Sequence, residues 1–276
     1  MDNHTNILSV CTGIGGLDLG LRLAIPCART VCYVEGEAYA CSLLAEKMRT
    51  GEMDEAPVWT DMRTFDGEPW RGVVDCIAGG IPCQPWSTAG KHAGADDDRD
   101  LWSSFARIVG EIEPVYAFIE NVPGIVQPSM GLRRIRRDLE RMGYEVAAGL
   151  FTAAEVGASH KRERLFVLAY RQGERVQGLR ASGEQECNPS PQETLPRRNG
   201  LPIFPPGPAD ADAWREVLEV APHLAPAVES GVRSLADGFS AGLGEHRTDQ
   251  LRAYGNAVVP LAAAYAFVSL YACLQK

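Results

Sequence analysis

Cys83 stands in a loop whose composition favours a reactive thiol. The segment Gly79-Gly80-Ile81-Pro82-Cys83-Gln84-Pro85-Trp86-Ser87 places this cysteine between two prolines and shortly after two glycines. A cysteine is usually a small core residue, but this setting predicts a rigid, exposed turn instead. A thiolate there is a nucleophile that opens a covalent route.

Glu120 and Asn121 end a predicted buried strand, and Glu120 is the natural acid partner for Cys83. A carboxyl group at a buried strand end can retain a proton near neutral pH and act as a general acid. Asn121 is placed to orient it. Two arginines, Arg162 and Arg164, open a later strand and supply cationic donors.

A second set of residues predicts a ligand pocket. Gly13, Gly15 and Gly16 follow the first predicted strand, where glycine permits a tight turn and a close backbone approach. The spacing is not that of the dinucleotide fingerprint, and a purely structural turn is the alternative. Glu35 ends the second strand and can accept hydrogen bonds from ribose hydroxyls, or it is a surface carboxylate. Together these residues favour a ligand containing adenosine and leave its identity open.

These residues require a sheet to position them. In the first half of the chain, apolar runs of strand type alternate with helical segments, which predicts an α/β fold with a mostly parallel sheet covered by helices on both faces. In such a sheet, ligands bind at the carboxyl ends of the strands. The glycine turn, Glu35, the Cys83 loop and Glu120 each lie at or just after the end of a predicted strand. Helices are expected between successive strands. The strands are placed at 6–11, 30–35, 73–78, 115–120 and 164–170, and the helices at 17–25, 38–48, 101–112 and 132–142.

The pattern fails after Tyr170, where residues 171–245 are rich in Gly, Pro, Ser and Glu and only 213–220 reads clearly as helix. We predict a discontinuous catalytic domain, 1–170 with 246–276, and a small irregular region at 171–245. A helix-forming segment resumes from Thr248.

Composition limits the possible classes of protein. The chain has 276 residues, 45% hydrophobic and 23% charged, which suits a globular protein that acts in the cytoplasm, and a monomer is expected. Eight cysteines form no C-x-x-C pair, so neither a metal site nor a disulfide framework is predicted. No signal peptide or membrane span is expected. The net charge of −9 argues against nucleic acid, although a local basic face, with the Arg133–Arg141 run as one candidate, is compatible with it.

Five motifs in order resemble the cytosine-C5 DNA methyltransferase family. They are Cys11-Thr12-Gly13-Ile14-Gly15-Gly16, Pro82-Cys83-Gln84, Glu120-Asn121-Val122, Arg162-Glu163-Arg164 and Gly255-Asn256-Ala257-Val258-Val259-Pro260. The resemblance covers residues 6–170 and about 248–276 and implies a Rossmann-like methyltransferase fold. Two departures are Cys11, where an aromatic residue is common, and His160, where glutamine is frequent.

The resemblance implies S-adenosylmethionine as methyl donor and double-stranded DNA as substrate. Cys83 would add to C6 of a cytosine flipped out of the duplex, and Glu120 would act at N3. Arg164 would hold O2 of the base and orient Glu120, with Arg162 supporting the site. Residues 84–100 would form a lid over that base. The expected cofactor contacts are Cys11, Gly13, Gly15, Gly16, Glu35 at the ribose, Asp61 at the adenine amine, Met62, Pro82, Leu101, Asn256 and Val258. The region 171–245 takes the place of the target-recognition region, and the expected DNA contacts are Ser87, Arg171, Arg175, Arg197 and Arg198.

Three alternatives stay open. One is a transfer RNA cytosine-5 methyltransferase of the same fold, which the same catalytic residues would serve. Another is a DNA-binding homologue without activity, which the presence of Cys83, Glu120 and both arginines disfavours. A Cys–His hydrolase ranks last because no motif offers a convincing histidine partner for the cysteine. The target sequence, and membership of a restriction-modification system, cannot be read from these residues.

Overall fold

The fold is known from a computed structural model. It describes residues 4–25, 27–82, 101–126, 131–171, 210–222 and 255–275, together with positions 197, 198, 201, 202, 204, 206 and 249. Three predicted site residues, Cys83, Ser87 and Arg175, lie outside the described residues, as does the predicted lid.

A seven-stranded sheet forms the centre of the fold, in the order β3-β2-β1-β4-β5-β7-β6. The first five strands in that order run parallel, whereas β7 is antiparallel to both of its neighbours. This is the predicted α/β class with a mostly parallel sheet, which is confirmed. The strands are β1 Thr5–Val10, β2 Ala28–Val34, β3 Val58–Trp59, β4 Cys76–Gly80, β5 Tyr116–Asn121, β6 Tyr144–Thr152 and β7 Glu163–Arg171.

Helices cover both faces of the sheet because successive strand residues point to opposite sides. Ile7 of β1 packs with residues of α1 and α6 on one face, and its neighbour Leu8 packs with residues of α3 and α4 on the other. The helices are α1 Gly16–Ala24, α2 Ala38–Arg49, α3 Trp102–Ile112, α4 Leu132–Arg141, α5 Ala211–Val220 and α6 Pro260–Leu274. Short 3₁₀ turns occupy Met62–Thr64, Glu68–Trp70, Pro123–Val126 and Ala154–Val156.

Most predicted elements are found within three residues of their expected bounds, but one expectation needs correction. No strand was predicted at Tyr144–Thr152, where β6 pairs with β7 along nine residues. Its Ala147-Ala148-Gly149 centre has low strand propensity, so the pairing with β7 decides its structure. In the helix-forming segment expected from Thr248, Asp249, Gly255 and Asn256 are helical, and α6 begins at Pro260, a residue with no amide hydrogen to donate.

By its internal contacts the chain divides into two compact units. The first comprises Met1–Thr152, Glu163–Gln185 and Ala257–Lys276, and it contains the seven-stranded sheet. The second comprises Ala153–Arg162 and Glu186–Asn256, with a short hairpin of β8 (Arg197–Arg198) and β9 (Leu201–Pro202) and the helix α5. The predicted boundary at residue 171 stays a prediction.

None of the helices in the described parts of the chain has the length and apolar character needed to span a bilayer. Across the same residues, no group of three or more His, Cys, Asp and Glu side chains is arranged to hold a metal ion.

Candidate active site

The polar residues singled out in the sequence meet at the carboxyl edge of the parallel strands. Val10, the last residue of β1, pairs with Val34 of β2 and with Gly79 of β4, and Gly80 pairs with Glu120 of β5. The chain therefore leaves four neighbouring strands at one edge, where open α/β sheets bind their ligands.

The turn between β1 and α1 needs its glycines. Gly13 and Gly15 have φ angles of 56° and 83°, in the left-handed region that glycine adopts without strain. A Cβ on Gly16 would stand 2.3 Å from the carbonyl oxygen of Val258, just before α6. No side chain caps the amino end of α1, so its free amide groups and positive dipole end favour an anionic ligand group.

Glu35 lies beside this turn and is 8% exposed. One carboxylate oxygen accepts a hydrogen bond from the Gly13 amide at 2.7 Å, and the other accepts from the Glu37 amide at 2.9 Å. A carboxylate offers about four acceptor sites in all, so capacity remains for two further donors. A ribose presents two adjacent hydroxyl groups that can act as these donors. The residues present therefore fit a nucleoside cofactor.

Cys11 begins the same turn with a φ of 50°, and its amide donates to the carbonyl of Val34 at 2.7 Å. Burial, with the negative charge of Glu35 added, raises the pKa of the Cys11 thiol to about 12. The thiol therefore stays protonated and unreactive. Cys11 is a partly buried residue that packs against the hydrophobic core.

Of the other predicted cofactor residues in this unit, Asp61, Pro82 and Leu101 are at least partly exposed, whereas Met62 is buried. Asp61 is partly exposed and caps a 3₁₀ turn, since its side chain accepts a hydrogen bond from the Arg63 amide at 2.9 Å. Pro82 is exposed. Leu101 is the residue immediately before α3 and packs partly against the core. Met62, by contrast, is 4% exposed and belongs to the hydrophobic core.

A buried carboxyl group under the glycine turn was not anticipated from the sequence. Asp18 of α1 is fully buried and accepts hydrogen bonds from Ser9 Oγ at 2.8 Å and from Thr30 Oγ1 at 2.9 Å. The hydroxyl of Thr12 in turn donates to Ser9 Oγ at 3.0 Å. Burial raises the pKa of Asp18 to about 6 against the opposing effect of these hydroxyl donors. This network joins β1, β2 and α1 below the pocket.

Glu120 and Arg164 form an ion pair at the same edge, with Arg164 Nε 3.0 Å from Glu120 Oε1. The side chains are 10% and 22% exposed, so the pair is largely screened from water. The pairing of β5 with β7 brings the two residues together, since Asn121 stands opposite Leu165. Glu120 also lies beside Gly80, whose added Cβ would be 3.4 Å from the other Glu120 oxygen.

Asn121 anchors the chain that leads to Cys83. Its side-chain amide donates to the carbonyl of Ile81 at 3.1 Å, and its side-chain oxygen accepts from the Val122 amide at 2.8 Å. Ile81 is buried and Pro82 is exposed, so the chain emerges at the surface directly beside the Glu120–Arg164 pair. Cys83 follows in the sequence.

Arg162 and Asn256 belong to the second unit. A guanidinium nitrogen of Arg162 donates to the carbonyl of Gly255 at 2.8 Å. The φ of Arg162 is 29°, a strained value for a residue with a Cβ. Such strain persists where the surrounding structure enforces it and is frequent at functional sites.

The predicted DNA-contacting arginines lie in different surroundings. Arg171 ends β7 beside Val115, at the edge of the sheet opposite to Glu120, and its guanidinium pairs with Glu113 at 2.8 Å. This location does not favour the contact predicted for it. Arg197 and Arg198 form the strand β8 of the second unit.

The arginines of α4, another candidate basic face, are partly paired with acids on the same helix. Arg134 and Arg137 pair with Asp138, and Arg136 pairs with Glu140. Asp138 also accepts a hydrogen bond from the Trp102 indole at 2.9 Å, which ties α4 to α3. With five arginines and two acids the helix keeps a net positive charge, so it stays a candidate basic face beside the alternative of a solvated helix face.

Known proteins are similar to this chain in sequence over part of its length. The Neisseria gonorrhoeae Type II methyltransferase M.NgoMIV is 37% identical over 164 residues, which are 59% of this chain and 50% of that protein. Escherichia coli M.Eco47II, also a Type II methyltransferase, is 33% identical over 174 residues, 62% of this chain and 40% of the relative. The chain therefore spans about half the length of these relatives.

A crystal structure of a Spodoptera frugiperda DNMT2 mutant superposes with a TM-score of 0.50 at 22% identity, over 62% of this chain and 50% of that one. This likeness concerns the fold alone. A family model for C-5 cytosine-specific DNA methylases matches residues 5–216, more than half of the chain. The chain belongs to the family of C-5 cytosine-specific DNA methylases.

Proposed function

We propose that this chain transfers a methyl group from S-adenosylmethionine to C5 of a cytosine in a specific sequence of double-stranded DNA. The observation that carries the proposal is the Glu120–Arg164 ion pair beside Gly80, at the point where the chain emerges toward Cys83. A carboxyl group and a guanidinium side by side suit the N3 and O2 atoms of a pyrimidine.

The chemistry explains why these residue types are required. C5 of cytosine is too weak a nucleophile to attack a methyl donor, and addition of the Cys83 thiolate to C6 makes it one. Glu120 stabilises the resulting electron density by protonating or hydrogen-bonding N3, while Arg164 holds O2 and orients Glu120. Once C5 has taken the methyl group and S-adenosylhomocysteine has been left as the other product, loss of the C5 proton to a base would expel the Cys83 thiolate and restore the aromatic ring. The base must leave the duplex stack for these groups to reach it.

The cofactor proposal rests on the glycine turn and Glu35. The free amides at the start of α1 suit the carboxylate of the methionine moiety, and the remaining acceptor capacity of Glu35 suits the ribose hydroxyls. We expect Asp61 to bind the adenine amine. The cofactor supplies an electrophilic methyl group when bound.

The relatives named as Type II methyltransferases support a role in a restriction-modification system. We expect the protein to act as a monomer on DNA in the cytoplasm, with Arg175, Arg197 and Arg198 as candidate phosphate contacts and Ser87 near the flipped base.

Transfer of labelled methyl groups from S-adenosylmethionine to duplex DNA, compared with transfer RNA, tests the proposal. We expect DNA to be labelled and Cys83→Ser to abolish labelling while cofactor binding is kept. Cys273→Ser is the matched control, because Cys273 is an exposed thiol at the end of α6. Labelling of transfer RNA alone, or normal turnover by Cys83→Ser, would overturn the proposal. Bisulfite sequencing of DNA from expressing cells then identifies the target sequence.

A further inference from the structure

The segment 47–54, which is the end of α2 and the loop after it, contacts the glycine turn through a polar side chain. Lys47 Nζ donates to the carbonyl oxygen of Ile14 at 2.7 Å, in a partly buried position. The Gly15 amide, on the other side of the same peptide group, donates to the carbonyl of Thr12 at 3.0 Å. Since a peptide group is planar, these two hydrogen bonds fix its orientation from both sides.

The same segment contacts the turn through an apolar side chain. Met53 is 4% exposed, and a Cβ added to Gly15 would lie 2.7 Å from its Cε and 2.8 Å from its Sδ. Met53 therefore packs directly against the α-carbon of Gly15. The positive φ of Gly15 is thus held by close packing as well as by hydrogen bonds.

The segment is itself anchored, so it can impose a shape on the turn. The amides of Glu52 and Met53 both donate to the carbonyl of Lys47, which closes a compact loop. Beyond it, the Asp54 side chain accepts from the Thr30 amide at 2.9 Å, and the Asp54 carbonyl accepts from the Tyr33 hydroxyl at 2.9 Å. Both of these contacts are to β2.

We propose that Lys47 is a positioning residue for cofactor binding, which holds the Ile14–Gly15 peptide so that the turn is already shaped before the ligand arrives. The proposal rests on the function proposed above. A turn that is ordered in advance spares the ligand the entropy of ordering it, so loss of Lys47 weakens binding without touching the reacting atoms. Hydrogen bonds from charged donors are stronger than neutral ones, which suits a lysine in this place.

Lys47→Met keeps the carbon stem and removes the donor. We expect the Kd for S-adenosylhomocysteine, measured by calorimetry, to rise roughly tenfold, as loss of one hydrogen bond from a charged group implies. The KM for S-adenosylmethionine should rise with it, while kcat at saturating cofactor and DNA stays within about twofold, because only binding shared by ground and transition states is lost. Lys47→Arg, which retains a charged donor, should restore most of the affinity.

Arg49→Met is the matched control, since it removes a cation from the same helix and Arg49 binds the exposed Glu46. Lys47→Gln gives the same prediction if the methionine variant does not fold. If Lys47→Met and Lys47→Gln both bind S-adenosylhomocysteine with the same Kd as Arg49→Met, the positioning role is overturned. Absence of S-adenosylhomocysteine binding by the unmodified protein would instead overturn the proposed function, so the two failures are distinguishable.

Discussion

At the scale of single residues, Glu120 is the group proposed to act on N3 of the pyrimidine. It lies against Arg164 and next to Gly80 in a largely buried setting. Glu120→Gln keeps the size and one hydrogen-bonding oxygen but cannot deliver a proton to the pyrimidine. We expect kcat for methyl transfer to DNA to fall by about 10²- to 10⁴-fold, the usual contribution of a general acid. Single-turnover kinetics measures it.

The control for Glu120→Gln is binding of S-adenosylhomocysteine, which should be unchanged because Glu35 and the glycine turn form a separate part of the edge. Glu111→Gln offers a matched carboxylate on α3, where Glu111 pairs with Arg107. Near-normal kcat in Glu120→Gln would contradict the role of Glu120 as the acid.

Asp18 carries a prediction about pH, because burial raises its pKa to about 6 in the folded protein. Between its unfolded value near 3.9 and this value, the folded state binds more protons than the unfolded state, so stability falls as pH rises through that window. The loss amounts to roughly 3 kcal/mol. Asp18→Asn removes this titration.

We therefore expect the unfolding free energy of Asp18→Asn, relative to the unmodified protein, to improve as pH rises from about 4 to about 7. Urea denaturation of both proteins at several pH values measures the difference, in which the other titrating groups, including the neighbouring Asp54, largely cancel. A difference independent of pH would show that Asp18 does not titrate in this window.

At the scale of elements, the first turn of α1 packs closely against the backbone just before α6. One added carbon atom at Gly16 would disrupt this contact. Gly16→Ala would put a Cβ 2.3 Å from the Val258 carbonyl, which the backbone can relieve only by shifting. We expect a loss of about 1–3 kcal/mol in unfolding free energy, as for other overpacked sites, together with weaker cofactor binding. Thermal and urea unfolding measure the first effect, and calorimetry measures the second.

Gly110→Ala is the comparison for Gly16→Ala. Gly110 lies within α3 and an added Cβ there meets no atom within 4 Å. Alanine should stabilise this helix by about 0.5–1 kcal/mol, because it loses less backbone entropy on folding than glycine. Equal effects of the two substitutions would show that the contact with Val258 is not tight.

The elements also show what a sequence can and cannot predict. The glycines, Glu35 and Glu120 are recognisable because strand ends in a parallel sheet meet at one edge, so their placement follows from order along the chain. β6 was missed because its Ala-Ala-Gly centre has no strand preference of its own and β7 imposes the pairing. Lys47 and Asp18 were missed because their contacts join distant segments, and no local pattern marks a lysine that binds a loop carbonyl.

At the scale of the whole molecule, the charge balance requires DNA binding to be local. The net charge is −9, so any duplex must meet a restricted cationic surface within an acidic protein. In the described residues, three of the five arginines of α4 are paired with acids of that helix, and Arg171 is paired with Glu113. Arg197 and Arg198 of the second unit are the proposed phosphate contacts, so they are the first to test.

Salt dependence measures such contacts directly, because each phosphate neutralised releases counterions. Removal of one phosphate contact lowers the slope of log affinity against log salt by about 0.9. For the double variant Arg197→Gln, Arg198→Gln we expect a slope reduced by up to about 1.8 and weaker binding to duplexes of every sequence. Arg49→Gln removes an exposed cation of the first unit and should leave the slope unchanged. An unaltered slope in the double variant would exclude both arginines from the phosphate contacts and direct the search to other basic residues.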